Sequence, residues 1–251
     1  MKSALRGFLK VSGDVIFRFR NALFPVVGAI MALTSRPASF PESASANAAL
    51  ALAGVAVALS GQAVRLMTIG YDYIKRGGKD GKVYADNLVT GGFYATCRNP
   101  MYIGNTLIVI GFAMAYGSRA GYFVVVPFFL YAYAAIIIAE ETYLAGKFGG
   151  QYEAYKRDVP RIFPKPDRLG AALEGSRYDW KKALRKDYGQ VFQTLFILVL
   201  IGMARIRLAG GSFSGRKAAF LTAAAAISIL FFIVSRILKK TNRLASEIKK
   251  A

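Results

Sequence analysis

The sequence predicts an all-α fold, a polytopic membrane bundle of about six transmembrane helices with an interfacial helix after the fourth. Hydrophobic residues make up 55% of the 251 residues, and they collect in long apolar runs, as membrane-spanning helices require. Basic residues cluster between those runs and give a formal net charge of +20, a pattern typical of cytoplasmic loops. Only residues 117–121 separate two of the runs, which predicts a tight turn and an antiparallel helix hairpin.

The predicted elements follow the chain in order. Residues 1–20 mix five basic side chains with apolar ones, which is typical of an amphipathic lead-in at the cytoplasmic face. Residues 44–46 imitate a signal-peptidase site, but the long charged start favours a retained first helix. Residues 142–164 are too polar to span and suit an interfacial helix that ends before Pro160. The predicted spans are residues 21–34, 47–69, 100–116, 122–139, 188–204 and 218–237.

Six spans predict that both termini are cytoplasmic, in a bacterial inner membrane or the endoplasmic reticulum. The basic loops would then face anionic lipid head groups. Residues 205–217 are an exception to this charge pattern, because they place four basic residues on the predicted outer side. The alternative is that the last two helices form a re-entrant pair. We divide the chain into an N-terminal amphipathic segment with the first helix (1–46), a membrane core (47–167), and a basic linker with a C-terminal helix pair (168–251).

The residue types exclude several kinds of chemistry. The chain has no histidine, which removes Ser-His-Asp and Cys-His catalysis, histidine zinc sites and histidine-ligated haem, and we predict no metal site. The distribution of charge between apolar runs argues against a nucleic-acid partner. Residues 77–82 are glycine-rich but lack the spacing of a phosphate loop. Cys97 adjoins Arg98, which could lower a thiol pKa; a small residue at a helix entrance is the favoured interpretation.

The strongest local pattern lies in residues 88–104, where a polar loop enters an apolar helix. Pro100 suits the first helical turn, where its missing N–H costs nothing, and Asn99 can cap that turn. The free N–H groups and the dipole of such a helix start favour an anionic group. Arg98 is a candidate site residue because charges near the lipid boundary are rare.

Two glutamates end the fourth predicted span. Neighbouring residues point about 100° apart on a helix, so Glu140 and Glu141 should face different surroundings. One could bind a ligand or act as a general base if burial raises its pKa. The alternative is an ion pair with Arg98 or Arg161 that holds the helices together. Because the hairpin returns the chain to its starting side, these four residues should surround one cytoplasmic mouth.

Other polar and aromatic residues have two open interpretations. Gln62 and Arg65 lie on one face of the second span, either towards the bundle interior or with the arginine extended to the interface. Four tyrosines could stack on a flat ring or a sulfonium, or form an interfacial belt. These tyrosines are Tyr94, Tyr102, Tyr152 and Tyr155.

Two motifs carry a resemblance to known enzymes. Arg98-Asn-Pro-Met-Tyr-Ile-Gly104 resembles the Arg-His-Pro-x-Tyr-x-Gly signature of isoprenylcysteine carboxyl methyltransferases, much of which is shared by membrane methyltransferases that act on phospholipids. Glu140-Glu141, with Pro160-Arg161-x-x-Pro164 further on, is similar to the Glu-Glu and Pro-Arg-x-x-Pro region of the same family. The resemblance covers roughly residues 53–166.

The resemblance implies a membrane methyltransferase that uses S-adenosyl-L-methionine without a soluble Rossmann domain. Its acceptor would be a lipid or a lipid-modified, isoprenylcysteine-like group that enters laterally between helices, while the cofactor enters from water. By the same resemblance, Arg161 helps to close the site or to orient an acidic substrate. The cofactor-binding residues implied are Leu88, Val89, Tyr94, Asn99, Pro100, Tyr102, Gly104, Glu140 and Glu141. The catalytic residues implied are Glu141, Arg161 and Arg98.

One position departs from the signature, since Asn99 stands where the family usually has histidine. Asparagine can donate and accept hydrogen bonds but cannot titrate, so a positioning role survives and a role as base does not. Two alternatives therefore stay open. One is an NADPH-dependent membrane oxidoreductase similar to sterol reductases, and the other is a non-catalytic lipid-binding relative.

Overall fold

A computed structural model describes residues 2–37, 42–71, 83–174, 176–208 and 213–245. Within those ranges the chain is helical and contains no strand, which confirms the predicted all-α fold. Short 3-10 turns at Gly92–Ala95 and Pro166–Arg168 and a π-helical turn at Gly121–Val125 complete the described structure. The helices are α1 (Lys2–Thr34), α2 (Ala44–Tyr71), α3 (Pro100–Tyr116), α4 (Val126–Phe148), α5 (Gly150–Asp158), α6 (Leu169–Leu173), α7 (Trp180–Leu208) and α8 (Gly215–Lys240).

The protein is an integral membrane protein. Five helical segments in the described ranges are long and apolar enough to cross a membrane, and α3 is a shorter apolar helix of 17 residues. At 1.5 Å per residue α3 still extends about 25 Å. The five segments are Ala4–Thr34, Ala44–Tyr71, Gly121–Phe148, Trp180–Leu208 and Gly215–Lys240. The glycine-rich stretch 77–82 lies outside the described residues.

Several predicted boundaries differ from the structure, and α7, for example, begins at Trp180 rather than at residue 188. The lead-in 1–20 and the first span form one helix, α1, which continues through Pro25. The fourth span does not end at the two glutamates, because α4 continues to Phe148, where Gly149 ends it with a φ of 50°. The helix can continue because both glutamate side chains have hydrogen-bond partners in the protein. The interfacial helix is correspondingly shorter and, as predicted, ends before Pro160.

Small residues allow the closest helix packing, between α2 and α3. A Cβ atom on Gly61 would lie 2.6 Å from the carbonyl oxygen of Gly104, so no larger side chain fits without a backbone shift. Small-residue interfaces of this kind are typical of membrane helices. The hairpin forms as predicted: α3 ends at Gly117 with a φ of 72°, and α4 then returns and packs along α1.

A buried polar network joins α7 to this core. Arg65 forms an ion pair with Asp187 of α7, and Gln62 donates a hydrogen bond of 2.8 Å to the same carboxylate. Gln62 also accepts a hydrogen bond of 3.0 Å from Thr194. Arg65 and Gln62 therefore face the bundle interior, which is one of the two orientations that the sequence allowed.

The contacts of Arg205 account for one of the four basic residues on the predicted outer side. Its guanidinium donates to the carbonyl oxygens of Ala115 and Tyr116, each at 3.2 Å, at the end of α3. It also donates to the side-chain oxygen of Asn47 at 3.2 Å. A cation at a helix C-terminus satisfies the last carbonyl groups and suits the helix dipole. Arg205 thus has a structural role at the end of α3, where it also contacts α2.

Candidate functional site

The entrance of α3 lies beside the loop that follows α5. Pro100 occupies the first turn of α3 as predicted, and Asn99 is the residue before it. The Asn99 side chain makes no capping bond, however; its amide donates a hydrogen bond of 3.1 Å to the carbonyl oxygen of Arg161. The predicted side-chain cap is therefore wrong, because the side chain contacts the neighbouring loop instead of the helix.

Arg98 joins the entrance of α3 to the end of α5. Its guanidinium donates to the carbonyl oxygens of Lys156 and Val159 at 3.0 and 2.7 Å, and its backbone N–H donates to Pro160 at 2.9 Å. The remaining described hydrogen bonds of its guanidinium go to Glu141. Arg98 is buried, and its contacts are those of a residue that holds two segments in register.

Glu141 lies between two arginines. One carboxylate oxygen is 3.0 Å from Nη2 of Arg98, and the other is 2.7 Å from Nη2 of Arg161. The Glu141 residue is only 3% exposed. A guanidinium and a carboxylate make short, strong hydrogen bonds, so this contact joins three segments of the chain. The ion-pair alternative for this glutamate is thus the arrangement that the structure contains, and it includes both arginines.

Glu140 points to a different set of groups, as the helical geometry predicts. Its carboxylate accepts a hydrogen bond of 2.9 Å from the hydroxyl of Tyr102, which lies in the first turn of α3. The Tyr102 ring packs against the ring of Tyr133 on α4, with centroids 5.7 Å apart. Glu140 is also buried, so its carboxylate belongs to the protein interior at the end of the hairpin.

The tyrosines of α5 have structural contacts. The hydroxyl of Tyr155 donates a hydrogen bond of 2.7 Å to the carbonyl oxygen of Tyr94, and Tyr152 is fully buried beside it. Leu88 packs against the same cluster, which also includes Leu144 of α4. Tyr94 is buried as well. These contacts fix the position of α5 below the hairpin, so that the Arg161 loop reaches Glu141.

The structure brings together six of the predicted site residues: Arg98, Asn99, Tyr102, Glu140, Glu141 and Arg161. Pro100 begins α3, which carries Tyr102 and follows Asn99 directly. Gly104 lies apart from this group, because it faces α2 and a Cβ atom there would lie 2.6 Å from Cγ of Arg65. Val89 is half-buried in the preceding loop.

Cys97 is buried next to these residues. Burial raises the pKa of its thiol from 9.0 to about 11, against the opposing effects of a backbone hydrogen bond and of the Arg98 charge. The thiol is therefore protonated near neutral pH, and the neutral form is a poor nucleophile. This supports the interpretation of Cys97 as a small buried residue at the helix entrance.

The polar groups around the α3 entrance define what the site could bind. The Arg161 side chain is 49% exposed, so it can pair with an anionic group while it contacts Glu141. A carboxylate such as Glu140 suits a hydroxyl or cationic group. In the described parts of the chain, no three acidic or cysteine side chains lie close enough to hold a metal ion.

Sequence reasoning did not identify two contributions to this region. Asp187 is the partner of Arg65, and its signal in the sequence is an isolated acid in the otherwise basic start of α7. The backbone carbonyls of Lys156 and Val159 accept the two hydrogen bonds that Nη1 of Arg98 donates. Backbone acceptors carry no sequence signal, so this second contribution is visible only in the fold.

Comparison with known proteins agrees with the motifs. Residues 49–151 match the family model described as phospholipid methyltransferase. This segment runs from α2 to the start of α5, so it contains Asn99, Tyr102 and Glu140 but not Arg161. The resemblance to membrane methyltransferases that the motifs predicted is confirmed for this part of the chain.

Two curated relatives match shorter segments. The cobalt-zinc-cadmium resistance protein CzcN of Cupriavidus metallidurans is 35% identical over 80 residues, which cover 32% of this chain and 37% of the relative. The protein-S-isoprenylcysteine O-methyltransferase of Schizosaccharomyces pombe is 34% identical over 77 residues, which cover 31% of this chain and 33% of the relative. The chain thus spans about a third of the length of these relatives. No solved structure matches it significantly.

Proposed function

We propose that this protein is a membrane methyltransferase that uses S-adenosyl-L-methionine to methylate a lipid or lipid-modified acceptor. One observation carries the proposal: the two halves of the signature, 43 residues apart, meet in the Arg98–Glu141 contact. The family match over residues 49–151 supports the same function. In this proposal residues 47–167 form the methyltransferase-like core, with residues 168–251 as an added helix pair.

The residues at the α3 entrance fit the proposed cofactor in charge and hydrogen bonding. The cofactor combines hydroxyl groups, a cationic amino-acid end and a carboxylate. Glu140 would accept hydrogen bonds from the first two kinds of group, and the half-exposed guanidinium of Arg161 would bind the third. Asn99, Pro100 and Tyr102 would form one wall, with Leu88, Val89 and Tyr94 in the loop before it. Gly104 would act indirectly, through the packing of α3 on α2.

When bound, the cofactor supplies a methyl group on a sulfonium, and the protein has to align and desolvate the reacting groups. Arg98 and Glu141 contribute as positioning residues, because their buried ion pair fixes α4 against the loop that carries Arg161. Asn99 holds that loop from the other side through the Arg161 carbonyl. This role needs an N–H donor and no titration, so asparagine can fill the position of the family histidine.

The acceptor determines whether a base is needed. A carboxylate acceptor is nucleophilic at neutral pH as it stands. An amine must first lose a proton, and a carboxylate within reach would accept it. Glu140 is the better candidate for this task, since Glu141 is held between two guanidinium groups. The acceptor is expected to enter from the membrane and the cofactor from the cytoplasmic side.

Calorimetric titration with S-adenosylhomocysteine, run beside NADPH, tests the proposal on the detergent-purified protein. We expect saturable binding of S-adenosylhomocysteine and at least about tenfold weaker binding in Glu140→Gln, since a buried charge-assisted hydrogen bond contributes about 1.5–3 kcal/mol. Glu153→Gln is the matched control, because Glu153 lies exposed on α5 and contacts Lys156.

The outcomes separate the alternatives. Binding of NADPH alone would reject the methyltransferase and favour the sterol-reductase-like oxidoreductase. Binding of neither compound would favour the non-catalytic lipid-binding relative. Equal affinities in the wild type and Glu140→Gln would reject the site, even if S-adenosylhomocysteine binds.

A further inference from the structure

A cleft of about 810 Å³ lies between α1 and α4, beside the hairpin end that carries the candidate site. One wall comes from α1, which precedes the segment that matches the phospholipid methyltransferase family. The other wall comes from α4, mostly from its last turns beyond the two glutamates. Nothing in the signature motifs predicts this cleft, because most of its lining residues lie outside them.

The cleft carries an excess of positive charge. Lys10 and Arg18 of α1 and Lys147 of α4 line it, together with a single acid, Asp14. Asp14 pairs with Lys10 at 3.2 Å, but both side chains are nearly half exposed, and such pairs contribute little stability. Lys147 is held at the cleft by a hydrogen bond to the carbonyl of Ala85. A ligand in this cleft would therefore meet a net positive charge contributed by two helices.

Apolar side chains at the same cleft point to a membrane ligand. Val15 and Phe19 line it and are 53% and 55% exposed, on a helix long and apolar enough to span the membrane. Phe17 lies buried at its inner wall. Basic groups next to exposed aliphatic and aromatic groups are the pattern that binds an anionic head group together with its acyl chains.

The cleft also adjoins the candidate site. Phe17 and Val83 line the cleft; Phe17 belongs to a buried apolar cluster, and Val83 and Tyr102 both pack against that cluster. Tyr102 in turn donates its hydroxyl to Glu140. Ala139, the residue before Glu140, lines the cleft as well. The cleft and the Tyr102–Glu140 pair therefore adjoin the same apolar cluster.

We propose that the α1–α4 cleft is a lipid-binding site that takes a phospholipid with an anionic head group from the surrounding leaflet. The phosphate pairs with Arg18 and Lys147, and the acyl chains lie along Val15 and Phe19. Lys10 can exchange its exposed partner Asp14 for the phosphate. The site rests on the cleft alone and holds whether or not the protein transfers methyl groups.

Binding of a fluorescent phosphatidic acid to the detergent-purified full-length protein, measured by anisotropy, tests this site. The matched probe is the diacylglycerol with the same chains and label, which lacks only the phosphate. We expect the phosphatidic acid to bind at least about tenfold more tightly, as two charge-assisted contacts would give. An excess of inorganic phosphate should not displace it, because free phosphate lacks the chains.

Gly146→Leu fills the cleft without a predicted folding defect. Gly146 lines the cleft, and a Cβ atom there meets no other atom within 4 Å. Leucine is also the better helix former. We expect at least about tenfold weaker lipid binding, since the side chain takes the volume of several methylene groups. Gly28→Leu is the matched control on α1, where the space is also open.

A charge variant provides a second test. Arg18→Gln should weaken phosphatidic acid binding about threefold, as an exposed ion pair permits, whereas Arg6→Gln, on the same helix outside the cleft, should not. Equal binding of the two probes, or unchanged binding in Gly146→Leu, would overturn the proposal. S-adenosylhomocysteine titration of the same variants reports on the proposed function separately, so failure of one is distinguishable from failure of the other.

Discussion

At the scale of single residues, buried charges at the α3 entrance are satisfied in groups rather than in pairs. Arg98 donates to one oxygen of Glu141 and Arg161 donates to both, while Arg98 also donates to two carbonyl groups at the end of α5. A buried carboxylate or guanidinium is costly unless each polar atom has a partner. The arrangement therefore favours one position of the Arg161 loop. A site built from residues far apart in the sequence needs such a fixed loop position.

Cys97 gives a residue-scale prediction. Because burial raises its thiol pKa to about 11, the folded protein keeps the thiol protonated where an unfolded chain loses the proton. The unfolded state then binds fewer protons, so Cys97 makes stability fall as the pH rises from about 9 to 11. We expect iodoacetamide to label the native protein very slowly at pH 8 and rapidly in denaturant, as mass spectrometry of the intact protein would show. Rapid native labelling at pH 8 would mean that the thiol is accessible and ionised.

At the scale of elements, the position of the site depends on how closely α3 approaches α2. Gly104 belongs to the signature motif, yet its open face lies against Gly61 and Arg65 of α2. The close packing against α2 therefore explains why position 104 needs a glycine, independently of any ligand. Tyr102, two residues earlier, faces α4 and the candidate site.

Gly104→Ala tests this packing role. The added Cβ would lie 2.7 Å from the backbone oxygen of Gly61, which cannot move without shifting α2. We expect a loss of about 1–3 kcal/mol, typical of overpacking, measured as a lower midpoint of thermal unfolding by circular dichroism. Gly28→Ala should not lower that midpoint, since nothing lies within 4 Å of its added Cβ. Unchanged stability with lost S-adenosylhomocysteine binding would instead favour direct contact between Gly104 and the cofactor.

At the scale of the whole molecule, the C-terminal helices are tied to the core by charge. Arg65 on α2 and Asp187 on α7 are a buried pair, with 11% and 4% of their side chains exposed. Gln62 and Thr194 extend this network further along the same two helices. The proposed division at residue 168 therefore separates the chain by sequence similarity, while the packing of α7 on α2 joins both parts.

Asp187→Asn should destabilise the molecule strongly. It leaves Arg65 charged in the bundle interior, and breaking a buried pair costs about 3–5 kcal/mol. Asp14→Asn, which breaks an exposed pair of α1, should cost less than about 1 kcal/mol. The double variant Arg65→Met, Asp187→Leu should recover most of the lost stability, since apolar replacements of buried pairs are tolerated. Thermal unfolding in one detergent compares the three, and equal midpoints for Asp187→Asn and the wild type would contradict the role of this pair.

The sequence by itself determined the class of the protein, its helices and the composition of its candidate site. Long apolar runs, Pro100 at a helix start and glycine turns act locally, so their consequences can be derived without the fold. The tertiary structure determined which residues contact one another at the candidate site. It placed Asn99 against the Arg161 loop, gave Glu141 two arginines and Glu140 a tyrosine, and directed Gly104 away from the site. It also formed the α1–α4 cleft. These features depend on backbone carbonyls and on contacts between distant helices, which leave no periodic pattern in the sequence.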